Sequence, residues 1–194
     1  MFGLGTVIRL TRGQEPNSIA EQIISHLLVN TARSEKAAAL RAFFSTPGND
    51  VGFLISERII NMPPQISVPL YETLANEIRK ARAKNLPFNF THYVMISRLL
   101  VSPSDERNVM YTNAEEEVFV PECDIVLDLA CGASPGGGGA ATVNSPNSAA
   151  GDGIGRAFNS LGQDEFIEKR KVLVFKANKL DKITSLVKGA FPIN

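Results

Sequence analysis

The stretch His92–Val101 (HYVMISRLLV) constrains this chain more than any other. It is nearly continuous in apolar residues, which predicts a strand at the centre of a sheet. Other apolar runs supply its neighbours. Residues 51–55 (VGFLI) are short, apolar and bounded by turn residues, so they read as a buried strand. Residues 2–10 (FGLGTVIRL) set Leu4, Val7, Ile8 and Leu10 in one run, and 171–175 form a last strand. From Tyr111 to Leu129 the sequence reads as a long strand region broken near Pro121. Within it Cys123, Ile125, Leu127 and Leu129 alternate with Asp124 and Asp128, a period of two that leaves one face wet.

Between these runs the spacing turns helical. Pro16, Asn17 and Ser18 read as a helix start, followed by Ile19, Ile23, Ile24, Leu27 and Leu28. A second helix is predicted over 34–45 with Ala37, Leu40, Phe43 and Phe44 apolar, ended by Thr46-Pro47-Gly48-Asn49. The third places Pro69 in its first turn, which proline tolerates. Leu70, Leu74 and Ile78 recur every four residues beside Tyr71, Ala75 and Ala81, and Glu72, Glu77, Arg79, Lys80 and Lys84 take the other face. Leu180, Ile183, Val187 and Ala190 give a closing helix. The predicted order is β-α-α-β-α-β-β-loop-β-α. It calls for an α/β (α+β) fold, a mixed and largely antiparallel sheet flanked by helices.

The 194 residues suffice for one domain and hardly two, so a single domain over 1–194 is expected. Residues 132–163 hold nine of the 15 glycines, and their composition predicts a flexible insertion. A strand opening at residue 2 is expected to be covered by another strand, so residues before it are expected to be missing from this sequence. Lys and Arg number 20, as do Asp and Glu, which argues against holding nucleic acid by bulk charge. With two Cys and two His, a zinc module or a disulfide-stapled scaffold is excluded. No apolar run approaches the roughly 20 residues that span a bilayer. No secretory signal is read at the start.

Enzyme motifs fail on context. Asp128-Leu129-Ala130-Cys131-Gly132-Ala133 resembles the cofactor turn of S-adenosylmethionine methyltransferases. That turn needs an amphipathic helix next, whereas Gly136 to Gly139 follow here. Gly151-Asp152-Gly153-Ile154-Gly155 follows no strand, and the chain has no Gly-Lys pair for a P-loop. The element order suits an acetyltransferase fold, yet no Arg or Gln has a Gly three positions on, so the acyl-CoA pyrophosphate turn is absent. His26 and His92 sit in no triad order and read as structural. Cys123 and Cys131 match no metal spacing and read as free thiols. A methyltransferase or acetyltransferase-like enzyme is the alternative reading.

Two surface features have a bland and a functional reading each. Glu115, Glu116 and Glu117 are either a solvated edge or a surface for a basic partner. Arg79, Lys80, Arg82 and Lys84 form a basic helix end, which also suits the helix dipole.

Val51-Gly52-Phe53-Leu54-Ile55-Ser56-Glu57-Arg58-Ile59-Ile60-Asn61-Met62-Pro63-Pro64-Gln65-Ile66, followed by Pro69-Leu70-Tyr71, closely resembles the signature of the BCCIP family. Tyr111-Thr112-Asn113-Ala114-Glu115-Glu116-Glu117-Val118-Phe119 is similar to its second block. The opening FGLGTVIRL and the closing strand and helix over 171–187 are similar as well. The resemblance covers about 2–127 and 168–190, and departs from the family by lacking an acidic tail with the first strand and helices, and by the Gly-rich tract. It implies an acetyltransferase-like (GNAT-like) fold without the acyl-CoA site. It also implies a non-enzymatic nuclear adaptor and escort chaperone, with some cytoplasmic presence. The implied partners are a large-subunit ribosomal protein of the universal L-fourteen type, a tumour suppressor and a cyclin-kinase inhibitor, with roles in ribosome biogenesis, nuclear export, cell cycle and DNA repair. No cofactor, metal, direct nucleic-acid or membrane contact is expected. The candidate interface residues are Ser56, Glu57, Arg58, Asn61, Pro63, Pro64, Glu115, Glu116 and Glu117. For the loop from Glu57 to Pro69 a structural role stands beside the interface one.

Overall fold

The computed structural model describes residues 6–10, 19–31, 36–56, 62–86, 88–105, 107–130 and 166–192. Its six strands form one sheet: β1 (Thr6–Leu10), β2 (Val51–Ile55), β3 (His92–Val101), β4 (Val109–Tyr111), β5 (Ile125–Leu129) and β6 (Ile167–Lys176). The order is β1-β2-β3-β6-β5, with β4 also on β3. Only β2 and β3 run parallel; the other pairs are antiparallel. The sheet is therefore mixed and largely antiparallel, as the apolar runs predict.

Helices α1 (Ile19–Asn30), α2 (Ala37–Ser45), α3 (Ser67–Ala83) and α4 (Leu180–Ala190) cover it. Two cores result. Ile24 and Leu27 of α1 and Leu40 and Phe44 of α2 pack with Val94, Leu127 and Val172 on one face. Tyr71, Leu74 and Ile78 of α3 and Ile183 and Val187 of α4 pack with Tyr93, Met95 and Phe175 on the other. Successive residues of β3 thus enter opposite cores, which is why its sequence shows almost no polar alternation. The apolar stripe of α1 runs through Ala20, Ile24 and Leu27, while Ile19 is exposed. In α4, Ala190 lies outside the buried set.

The expected long strand over 111–129 is the main correction. The chain instead forms short β4, a 3₁₀ segment at Ala114–Glu122, and then β5. Phe119 is fully buried and turns the segment inward, with its ring centroid 5.3 Å from that of Tyr71 and 5.6 Å from that of Phe175. Tyr93 then lies tilted against Phe175 and Phe90 edge-on to Tyr93, both with centroids 5.6 Å apart, so a row of aromatic rings runs beneath α3.

Two turns fix the chain path. Thr46-Pro47-Gly48-Asn49 is closed by Asn49 N–H donating to the Thr46 carbonyl at 3.3 Å. Gly48 takes φ +89°, which a side chain would resist. At the end of α3, Asn85 adopts φ 53°. Its N–H donates to Arg82 O and that of Leu86 to Ala81 O, both at 3.0 Å, the double bond of a Schellman cap. The cap aims the α3–β3 connection back along the helix flank.

The predicted helix start at Pro16, Asn17 and Ser18, Cys131, and the Gly-rich insertion at 132–163 lie outside the described residues.

Candidate protein-interaction surface

One flank of β3 is shared end to end by two strands. β2 pairs with His92 through Met95, and β4 with Leu99 through Val101. Among the described residues, Ile96, Ser97 and Arg98 between them have no strand on that side. A fork of this kind exposes polar backbone and must be closed by other groups. The two motif blocks of the sequence close it. Thr112 N–H donates to Arg98 O at 2.9 Å, and Asn113 Nδ2 donates to Ser56 O at 3.3 Å, linking the end of β2 to the segment after β4. Asn113 Nδ2 also donates to Glu116 Oε1 at 2.7 Å, and Ser97 Oγ donates to Glu116 Oε2.

Glu115 and Glu116 are therefore interior residues, 0% and 1% exposed, and only Glu117 of the triplet faces solvent. This corrects the expectation of an acidic edge built from all three. The reason is geometric: the 3₁₀ turn carries Glu116 over the fork, where its carboxylate finds donors that water would otherwise supply. Tyr111 beside them has its phenol pKa raised, chiefly by burial and then by the charges of Glu117 and Glu116.

The other candidate residues split. Ser56 follows β2 and is half-buried, with Oγ 3.4 Å from Tyr71 OH. Pro63 is exposed, with extended backbone (φ −57°, ψ 138°), and Pro64 starts a 3₁₀ turn leading into α3. Ile66 N–H donates to Pro63 O at 3.1 Å and Ser67 Oγ to Pro64 O at 2.6 Å, so this entry is rigid. Glu57, Arg58 and Asn61 lie outside the described residues. The structure thus brings Ser56, Tyr71, Asn113 and Glu116 together. Ser97 is the functional partner that the sequence reading passed over. Its signal was available, since a hydroxyl inside an otherwise apolar strand needs a hydrogen-bond partner.

The remaining titratable groups are structural in their setting. His26 is exposed, with Nδ1 3.2 Å from Asn30 Nδ2. His92 lies edge-on to Phe43 at 5.0 Å, and burial lowers its pKa against the opposing charge of Asp124. Cys123 Sγ donates to Phe119 O at 3.2 Å, and burial pushes its thiol up to about 12. Among the described residues no group of His, Cys, Asp and Glu is arranged to hold a metal, and no helix is long and apolar enough to cross a membrane.

Fold and site together define a mixed α/β scaffold, helices on both faces of a six-stranded sheet, whose motif carboxylate is built into the interior. The chain belongs to the BCCIP family, whose family model matches residues 1–119. It is 34% identical over 125 residues to "Protein BCCIP homolog" of Drosophila melanogaster, covering 61% of this chain and 42% of that protein. It is 37% identical over 151 residues to "Protein bcp1" of Schizosaccharomyces pombe, covering 66% and 52%. It is 32% identical over 134 residues to "BRCA2 and CDKN1A-interacting protein" of Bos taurus, covering 61% and 44%. The chain thus spans about half the length of the curated relatives it matches. The crystal structure of BCP1 from Saccharomyces cerevisiae superposes with a TM-score of 0.52 at 15% identity, covering 87% of this chain and 57% of that one, a likeness of fold.

Proposed function

We propose that this chain is a non-enzymatic, protein-binding adaptor. In this reading it escorts a large-subunit ribosomal protein of the universal L-fourteen type during ribosome biogenesis and nuclear export. It resides in the nucleus with some cytoplasmic presence. Tumour-suppressor and cyclin-kinase-inhibitor partners connect it to the cell cycle and DNA repair. The observation that carries the reading is membership of a family whose bovine and murine relatives are named for the proteins they interact with. The geometry supports it from another side. Glu116, a carboxylate of the second motif block, spends both oxygens on Asn113 and Ser97. The fold is read as an acetyltransferase-like sheet that lacks the pyrophosphate turn, one domain with an insertion between β5 and β6.

Offered to a partner are exposed Glu117, for a basic protein, and exposed Pro63, with half-buried Ser56 just after β2. The test is titration calorimetry of the full chain against the isolated ribosomal protein. A micromolar or tighter complex, weakened by Glu117→Lys in a protein of unchanged melting temperature, is expected. No heat of binding, with no co-purification from nuclear extract, would overturn the escort role. Micromolar binding of S-adenosylmethionine or acetyl-CoA would overturn the non-enzymatic one.

A further inference from the structure

The two segments that carry Pro63 and Glu117 are far apart in sequence, yet they share their fastenings. The first runs from Ser56, just after β2, through the Pro63 turn into the start of α3. The second is Asn113 with the 3₁₀ segment Ala114–Glu122. The second has little reason of its own to hold its shape. Runs of 3₁₀ longer than three or four residues are uncommon, because their hydrogen bonds are poorly aligned. This one has nine residues, with Pro121 inside it. An asparagine at the N-cap ordinarily accepts a backbone N–H on its side chain. Asn113 stands at that position and makes no such bond. Its amide is spent instead on Ser56 O at 3.3 Å and Glu116 Oε1 at 2.7 Å.

Tyr71 of α3 is a second shared fastening. Its hydroxyl lies 3.4 Å from Ser56 Oγ, and its ring centroid lies 5.3 Å from that of Phe119. The remaining ties of the second segment run to the sheet and to α4. Ser97 Oγ donates to Glu116, and Thr112 N–H donates to Arg98 O at 2.9 Å. Lys182 Nζ meets Glu122 Oε1 at 2.6 Å, and Lys179 Nζ donates to Glu122 O at 2.7 Å. Opening the second segment by itself would take Phe119 from Tyr71 and Asn113 from Ser56 together. A half-open state of this kind keeps the entropy cost of the ordered half and loses the contacts that offset it.

We infer that the two segments form one cooperative unit with Asn113 as its pin. They open and close in a single step, separately from the ladder between β3 and β6. A partner that grips Glu117 then steadies the Pro63 turn as well, and the converse holds equally. That consequence rests on the adaptor reading. The opening itself is a property of the chain alone, so either can fail without the other.

Native-state hydrogen exchange of the full chain in a series of low denaturant concentrations tests this. The amide of Ile66 reports the first segment, and those of Glu116 and Cys123 report the second. Their acceptors are Pro63 O, Asn113 O and Val120 O. One common opening free energy and one common denaturant slope are expected, both below the values for the β3–β6 ladder. Asn113→Ala and Ser97→Ala are each expected to speed exchange at all three amides by one shared factor of about ten, although Ser97 bonds only to the second segment. Circular dichroism identifies a variant that fails to fold, and Ser97→Ala carries the test if Asn113→Ala is such a case. Unequal opening free energies in the unsubstituted chain overturn the proposal. So does a folded variant that speeds exchange at Glu116 and Cys123 and leaves Ile66 unchanged. Values equal to those of the β3–β6 ladder would show that the segments open only with the whole molecule, and would overturn it too.

Discussion

A carboxylate taken out of water needs its oxygens met by donors, and Glu116 has Asn113 Nδ2 and Ser97 Oγ for that purpose. Replacing it by alanine strands both donors inside the fold, so Glu116→Ala is expected to cost about 2–4 kcal/mol in urea denaturation. Glu117→Lys next to it, on the surface, is expected to stay within about 0.5 kcal/mol. Reversing all three charges together would therefore read folding and not binding. Tyr93 presents the opposite situation. Its hydroxyl is buried without a hydrogen-bond partner among the described residues, and burial raises its pKa from 10.0 to about 12. Tyr93→Phe is expected to stabilise the fold by about 1 kcal/mol. Cys123 is raised likewise, from 9.0 to about 12. Below about pH 8 both groups are neutral in the folded and the unfolded chain, and stability does not depend on them. Above it the unfolded chain loses these protons first, so stability falls as pH rises towards about 12. Thermal melts from pH 8 to 11 check this, and the part above pH 10 is expected to shrink in Tyr93→Phe.

At the scale of elements, the contact between β2 and β3 is set by a missing side chain. A Cβ on Gly52 would lie 2.8 Å from Val7 Cγ1 and 2.9 Å from Tyr93 Cδ1 and Cε1. Tyr93 is held between Phe90 and Phe175 and cannot move aside. Gly52→Ala is therefore expected to lower stability by about 1–3 kcal/mol, measured as a shift in denaturation midpoint. The elements themselves were unevenly legible in sequence. The strand at His92–Val101 and the helix at Ser67–Ala83 declare themselves through long, unbroken patterns. Residues 111–129 did not, because Val118, Phe119 and Val120 have the composition of a strand while the turn is imposed by burial of Phe119 in a distant core. Glu115 and Glu116 were read as solvent-facing because charge usually is. The burial of Glu116 depends on Ser97 and Asn113, and that juxtaposition exists only after β3 and β4 have paired.

For the molecule as a whole, the connection between β5 and β6 decides how separable the Gly-rich stretch is. Leu129 stands opposite Arg170 in an antiparallel pair, so a short turn can join these strands. Replacing residues 134–163 by a few glycines and serines is expected to leave the melting temperature unchanged or slightly raised. Shortening a connection changes closure entropy by only about 0.6 kcal/mol per halving. Loss of cooperative melting in the shortened protein would show that the stretch belongs to the folded core.

The fork on β3 has a mechanical consequence. Where β2 stops and β4 begins, the described residues join the sheet crosswise through the side chains of Asn113, Glu116 and Ser97 and the one backbone bond from Thr112 N–H to Arg98 O. That joint works as a rivet: while it holds, the two half-width panels move together, and once it slips each can twist by itself.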